Sequence, residues 1–210
     1  MAGKRKSAEA AREAETVDIV AATLQLAAQQ GWRHTSYADI AAASGLPLAE
    51  LLRRYPTRLS ILADLSRRAD AAMVAAVEGD SGESTRERLF AVIMARFDAL
   101  QPHRDGLRRV IADSRLDPCA VLAAGRTLER SFGWMLELAG VSASGLAGLM
   151  RRKALGLAYA DVVRVWLEDD SADLGKTMAA LDRRLAQLER LATRFSGSPL
   201  PSLDGAPPTA

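Results

Sequence analysis

The sequence contains no asparagine, a single cysteine, two histidines and only 5% aromatic residues. Because Cys119 is alone, a disulfide within the chain is excluded, which fits a reducing compartment. No apolar run is long enough to span a bilayer, and the charged N-terminal residues are not followed by an apolar segment. We therefore expect a cytoplasmic protein that has neither a transmembrane helix nor a signal peptide and no membrane partner.

Motifs for catalysis and metal binding are also missing. There is no glycine-rich phosphate loop, no Gly-x-Ser-x-Gly elbow, no Cys-x-x-Cys pair and no His-Glu-x-x-His. His34 and His103 are far apart in the sequence, and the acidic run at 168–173 is typical of solvated helix caps. We therefore expect no enzymatic activity, no cofactor and no metal site.

The residues that are present favour helices. Hydrophobic residues make up 49% of the chain, and alanine and leucine are the most common of them. Apolar residues recur at helical spacing in about nine segments, whereas residues 196–210 are rich in serine, glycine and proline. The predicted fold is all-α, with an N-terminal head at 1–56, a helical bundle body at 57–195 and a disordered tail at 196–210.

The head contains three short helices whose ends are marked by capping signals. Ser36 and Asp39 have the spacing of a capping box, which begins the second helix. Gly45 allows a tight turn, and Pro47 suits the first turn of a third helix. Two helices of about two turns joined in this way form a helix-turn-helix, whose second helix enters the major groove of DNA.

This region resembles the DNA-binding domain of the TetR family of transcriptional regulators. The resemblance is carried by Gly31-Trp32, Thr35-Ser36, Ile40-Ala41, Ser44-Gly45-Leu46, Leu51, Tyr55, Thr57-Arg58 and Ile61-Leu62. It implies a TetR-like fold and a homodimeric regulator, a repressor, that binds a pseudo-palindromic operator in double-stranded DNA. The third helix departs from the family pattern, because Leu52 stands where the family usually has tyrosine.

The charge of the head, taken together with the helix-turn-helix, indicates a phosphate contact surface. Residues 1–60 carry eight Lys or Arg against six Asp or Glu. The alternative is a solubilising arm and a solvated helix end. The residues predicted to bind DNA are Lys4, Arg5, Lys6, Ser36, Tyr37, Pro47, Leu48, Glu50, Arg53, Arg54, Tyr55 and Arg58. Among the bases, Glu50 would accept a hydrogen bond from cytosine, and apolar side chains would contact thymine methyl groups.

The two helices predicted at about 143–168 and 172–195 have matching apolar stripes. These stripes either complete the core of one chain or, as the resemblance implies, pack against a two-fold mate in a four-helix bundle. The residues predicted at the dimer interface are Leu149, Val162, Trp166, Leu181, Leu185 and Leu188.

The resemblance also implies a small apolar effector held among the body helices. The bulky residues that would line its cavity are Met94, Phe97, Trp134, Met135 and Tyr159, and filling of the core is the alternative explanation for each of them. The sixth helix, predicted at 102–114, would transmit effector binding to the head. Such a transmission requires an effector that binds the two states with different affinity.

A second function remains open from the sequence. The segments 100–104 and 165–171 resemble those of lipid-binding proteins of ubiquinone biosynthesis, which share the regulator fold but have given up operator binding. Leu52 and the apolar start of the third helix favour the same interpretation. However, the proline-rich residues 196–210 cannot form the additional amphipathic membrane helix of those proteins.

Overall fold

A computed structural model of the protein describes residues 18–77, 84–115 and 117–196. Within these ranges all regular structure is helical, which confirms the all-α prediction. The elements are α1 (Ile19–Gln30), α2 (Tyr37–Ser44), α3 (Leu48–Arg54), α4 (Arg58–Val77), α5 (Thr85–Leu100), a 3₁₀ turn (Gln101–His103), α6 (Arg104–Ser114), α7 (Pro118–Leu138), α8 (Gly145–Leu167) and α9 (Gly175–Ser196). The predicted arm with Lys4, Arg5 and Lys6 and the predicted tail beyond residue 196 lie outside the described residues.

The chain divides into two compact units. The first comprises Met1–Ala72 and Ala95–Arg130, and the second comprises Met73–Met94 and Ser131–Ala210. The first unit therefore contains more than the head predicted at 1–56, because most of α4 and all of α6 belong to it. Among the described helices, none combines the length and the hydropathy that are needed to cross a bilayer.

In the first unit, α1 packs closely along α6. The approach is close enough that a Cβ atom at Gly106 would lie 2.4 Å from the carbonyl oxygen of Leu24. A side chain at position 106 would therefore push α6 away from α1. Near the other end of α6, the carboxylate of Asp113 accepts a hydrogen bond from the backbone N–H of Trp32 at 2.8 Å.

A buried ion pair joins α4 to α5 in the same unit. The side chains of Arg96 and Asp70 are in contact and are only 2% and 0% exposed. Nη2 of Arg96 also donates to the hydroxyl of Ser66 at 2.9 Å. Because a guanidinium and a carboxylate are both costly to bury alone, each of these two groups depends on the other.

In the second unit, α8 packs along α9. The turn between them is organised by Asp169, which is fully buried. Its Oδ2 accepts hydrogen bonds from the backbone N–H and the hydroxyl of Thr177, at 2.8 and 2.7 Å. Burial raises the pKa of the Asp169 carboxyl, but the hydrogen bonds from Ser171 and Thr177 outweigh it and hold that pKa well below its ordinary value.

The residues predicted at the dimer interface are mostly buried within one chain. Val162, Trp166, Leu181 and Leu185 are at most 3% exposed, so they fill the core and are not accessible to a partner. Leu149 and Leu188 are half-buried. The prediction is corrected for the four buried residues, because these helices carry apolar residues on more than one face. For Leu149 and Leu188 it stays a prediction. The large hydrophobic side chains that α8 and α9 expose are Leu146, Met150, Leu157 and Leu191.

Candidate nucleic-acid interface

The capping box predicted at the start of α2 is present. The backbone N–H of Ser36 donates to Oδ2 of Asp39 at 2.8 Å, and the backbone N–H of Asp39 donates to the Ser36 hydroxyl at 3.2 Å. These reciprocal bonds satisfy donors that a helix N-terminus leaves unpaired. Ser36 therefore begins α2, and its hydroxyl is already engaged within the head.

The turn between α2 and α3 depends on a glycine in the left-handed region. Gly45 has φ 69° and ψ 11°, a conformation that costs other residues free energy. Pro47 is the N-cap of α3 and provides no side-chain cap, as expected from its lack of a polar group. Leu51 is fully buried, and it anchors the inner side of α3 in the head.

The outer side of α3 faces solvent along its whole length. Leu48 and Leu52 are 44% and 42% exposed and stand one helical turn apart. Between them, Glu50 pairs with Arg53 at 3.2 Å. Exposed pairs of this kind contribute little stability, about 0 to 1 kcal/mol, so both side chains can exchange this contact for one with a ligand. We call Leu48, Glu50, Leu52, Arg53 and Arg54 the α3 face.

Arg58 and Tyr55, which were predicted to contact DNA, bind other groups of the protein. Nη1 of Arg58 donates to the carbonyl oxygens of Trp32 and Thr35 at 2.7 and 2.6 Å, and its guanidinium lies 4.7 Å from the centre of the Trp32 ring. Tyr55 is 4% exposed. The Tyr55 prediction is corrected, because its side chain is buried and bound to α4, whereas a DNA contact by the half-buried Arg58 stays a prediction. A local sequence pattern does not show these internal contacts. Tyr37 similarly donates its hydroxyl to the carbonyl oxygen of Tyr55 at 2.8 Å.

A charged network that the sequence analysis missed ties the end of α3 to α4. The hydroxyl of Tyr55 donates to Oδ2 of Asp64 at 2.6 Å, and Asp64 also pairs with Arg67 and Arg68. Burial raises the pKa of Asp64, but the hydrogen bond from Tyr55 and the two arginines outweigh it and lower that pKa below its usual value. Arg68 also pairs with Asp18, the N-cap residue of α1. The only local signal of this network was the spacing of Asp64 from Arg67 and Arg68.

Comparison with known structures identifies the fold. Three similar structures are TetR transcriptional regulators. The one from Nitrosomonas europaea matches with a TM-score of 0.68 and 24% identity over 81% of this chain and 95% of that chain. The one from Rhodococcus sp. RHA1 has a TM-score of 0.59 and 18% identity over 84% of this chain and 96% of that chain. The one from Streptomyces coelicolor has a TM-score of 0.57 and 17% identity over 87% of this chain and 83% of that chain. The chain has a TetR-like fold.

Comparison of the sequence with family models gives a match over part of this TetR-like chain. The COQ9 family model matches residues 123–192, which is less than half of the chain. These residues include most of α7, the whole of α8 and most of α9, and they leave out the α3 face. No curated protein matches the sequence.

In the TetR-like body, the residues predicted to line an effector cavity lie in different surroundings. Phe97 and Met135 are fully buried, and Tyr159 is 5% exposed, with its ring centre 5.4 Å from that of Phe132. Met94 is half-buried, and Trp134 is 45% exposed. Three of the five therefore pack as core residues, and their role in effector binding stays a prediction. In the described part of the chain, no group of three or more His, Cys, Asp or Glu could hold a metal ion.

Proposed function

We propose that the protein is a DNA-binding transcriptional regulator, a repressor, that acts in the cytoplasm as a homodimer on a pseudo-palindromic operator and responds to a small apolar effector. The observation that carries this proposal is the exposed α3 face. A capped α2, a glycine turn and a buried Leu51 hold α3 in the arrangement of a recognition helix. The TetR-like fold supports the same conclusion.

The chemistry of the α3 face determines how the bases would be recognised. Glu50 is an acceptor only, so it suits the exocyclic amine of cytosine. Leu48 and Leu52 lack donors and acceptors, and they would pack against thymine methyl groups. Arg53 and Arg54 are exposed in the last turn of α3 and would contact phosphates. Recognition would thus combine one polar contact per half-site with apolar contacts.

A dimer would use the exposed apolar residues of the last two helices. Leu146, Met150 and Leu157 on α8 are 77%, 64% and 77% exposed, and their spacing places them along one side of the helix. Leu191 on α9 is 47% exposed. A two-fold axis would bring two heads to half-sites about 34 to 36 Å apart, one helical turn of DNA.

The packing of α1 on α6 provides the path from the body to the head. Gly106 lets the two backbones approach closely, and Asp113 holds the loop after α1 through the N–H of Trp32. Arg33 also donates to the carbonyl oxygen of Asp113 at 3.1 Å. A displacement of α6 would therefore be passed to α1, and we propose that the effector acts through this helix.

Selection of bound sequences from random DNA tests the proposal. We expect the purified protein to select a pseudo-palindrome of about 15 to 20 base pairs and to bind it at least ~10³ times more tightly than random DNA at physiological salt. Glu50→Ala should relax the preference at one position in each half-site. Glu168→Ala removes the same charge from an exposed position of the second unit and should leave the selected sequence unchanged.

Arg54 and Arg58 allow a matched comparison between an exposed arginine that would contact phosphate and an arginine whose bonds are internal. Arg54→Ala should weaken binding to all DNA sequences alike and reduce the slope of log affinity against log salt by about one, because one phosphate contact is lost. Arg58→Ala should instead lower the free energy of unfolding by about 1.5 to 3 kcal/mol, because its bonds to Trp32 and Thr35 are internal. Salt titrations of DNA affinity and urea denaturation measure the two effects. An unchanged salt slope for Arg54→Ala would contradict the phosphate role.

A lipid-binding protein of the same fold, related to ubiquinone-biosynthesis proteins, is the second candidate. The COQ9 match at residues 123–192 and the apolar side chains of Leu48 and Leu52 favour it. The selection experiment distinguishes the two functions. If no DNA sequence is selected while the protein co-purifies with a long-chain lipid or binds liposomes, the lipid-binding function replaces the regulator.

A further inference from the structure

A cleft of about 260 Å³ lies between α4 and α7 in the first unit. Its lining consists of Ala63 and Arg67 on α4 and of Arg126, Thr127 and Arg130 on α7. Ala63 and Arg67 are four positions apart, and Thr127 and Arg130 are three and Arg126 and Arg130 four positions apart, so each helix turns one side toward the cleft. Three of the five are arginines, and none of the five is among the functional residues predicted from the sequence.

Two of the three arginines in this cleft differ in how their charge is balanced. Arg67 pairs with Asp64 at 2.6 Å, but Asp64 also pairs with Arg68 and accepts the Tyr55 hydroxyl. Arg126 is exposed and forms no ion pair with any described residue. The Asp64 carboxylate is thus shared among several donors, and the Arg126 guanidinium is a group that an added anion would stabilise.

The chemistry of the lining selects the ligand class. The hydroxyl of Thr127 already donates to the carbonyl oxygen of Ala123 at 3.1 Å, so the donors offered to a ligand are the guanidinium N–H groups. A guanidinium presents its donors as a planar fork that matches the oxygens of a carboxylate or a phosphate. Pockets for drug-sized ligands have volumes of about 300 to 1,000 Å³, and this cleft is smaller.

We propose that the cleft between α4 and α7 binds a small anion with more than one negative charge, either a phosphate ester or a polycarboxylate. Arg67, Arg126 and Arg130 bind its oxygens. This ligand differs from the apolar effector predicted from the sequence, and its site contains none of the residues predicted to line the effector cavity.

Binding of the anion affects the end of the recognition helix through Arg67. The anion competes with Asp64 for the Arg67 guanidinium, and Asp64 is the acceptor that holds Tyr55 directly after α3. Occupancy therefore removes one of the two arginines that hold the Asp64 carboxylate in place beside Tyr55, and the α3 face loses part of its support. This consequence rests on the proposed DNA-binding function, whereas binding of the anion does not.

Isothermal titration calorimetry on the full-length protein tests the site. The probes are inorganic phosphate and citrate, titrated at an ionic strength held constant with sodium chloride. We expect saturable binding of at least one probe, and the stronger of the two identifies the phosphate or the polycarboxylate class. Arg126→Gln should weaken binding about tenfold or more, the effect of one charge-assisted hydrogen bond. Arg183→Gln removes the same charge from an exposed position on α9 and should bind as the wild type does.

Two results would overturn the proposal. One is the absence of saturable binding of both probes, and the other is an equal loss of affinity in Arg126→Gln and Arg183→Gln, which would show a general effect of net charge. Circular dichroism confirms that both variants are folded. Because the calorimetry uses no DNA, failure of operator selection would leave the anion site standing. Where an operator is found, the probe that binds should lower the affinity of the wild type for it but not that of Arg126→Gln.

Discussion

Replacing Arg96 with alanine should lower the free energy of unfolding by about 3 to 5 kcal/mol, one of the largest effects of any single substitution in this protein. The change removes the buried guanidinium that pairs with the carboxylate of Asp70, which is 0% exposed. It also removes the donor to the Ser66 hydroxyl. Urea denaturation followed by circular dichroism measures the loss, and Arg183→Ala, an exposed arginine on α9, serves as the control.

A double variant separates the electrostatic cause from simple loss of packing. In Arg96→Met with Asp70→Leu, both charges are replaced by apolar side chains, so no charge remains buried alone. We expect the double variant to be more stable than Arg96→Ala, because removing a whole buried pair is far less costly than breaking it. A loss below about 1 kcal/mol for Arg96→Ala would contradict the assignment, because that is the contribution of an exposed pair.

Leu157→Glu should convert the proposed dimer into monomers that remain folded. Leu157 is 77% exposed on α8, so a carboxylate there is solvated in the monomer but would be buried without a partner in an apolar interface. Light scattering at micromolar concentration should give half the mass of the wild type, with an unchanged far-ultraviolet circular dichroism spectrum. Leu181→Glu should instead unfold the protein, because Leu181 is 1% exposed inside one chain.

The control for the dimer experiment is a second exposed leucine outside the proposed interface. Leu122 on α7 is 60% exposed and belongs to the first unit, so Leu122→Glu should leave the mass unchanged. A wild-type protein that is monomeric at micromolar concentration would contradict the dimer and would remove the basis for a palindromic operator. Dissociation by both variants would show that the interface is not confined to α8 and α9.

Local signals in the sequence were sufficient to predict the helices and the helix-turn-helix. Ser36 and Asp39 form the expected capping box, and Gly45 takes the expected left-handed conformation. Such signals act between residues a few positions apart, so their effect does not depend on the rest of the fold. The helices predicted at 102–114, 143–168 and 172–195 are observed as Arg104–Ser114, Gly145–Leu167 and Gly175–Ser196.

The roles of individual arginines depended on the tertiary structure. Arg54 and Arg58 are four positions apart and have the same side chain, but Arg54 is exposed while Arg58 binds two carbonyl oxygens in the loop after α1. The partner residues, Trp32 and Thr35, lie more than twenty positions earlier in the chain. The arginine cleft also joins residues of α4 and α7 that are far apart in sequence.

The sequence by itself determined that this protein is all-α, that residues 37–54 form a helix-turn-helix, and that α8 and α9 are rich in apolar residues. Helical periodicity shows that a face is apolar, but it does not show what covers that face. Only the tertiary structure decided that Val162, Trp166, Leu181 and Leu185 are buried within one chain and that Leu146, Met150 and Leu157 face outward. The reason is that the hydrophobic effect has no direction. An apolar side chain is stabilised equally when its own chain or a partner removes it from water, so only the packed helices show which of the two covers it.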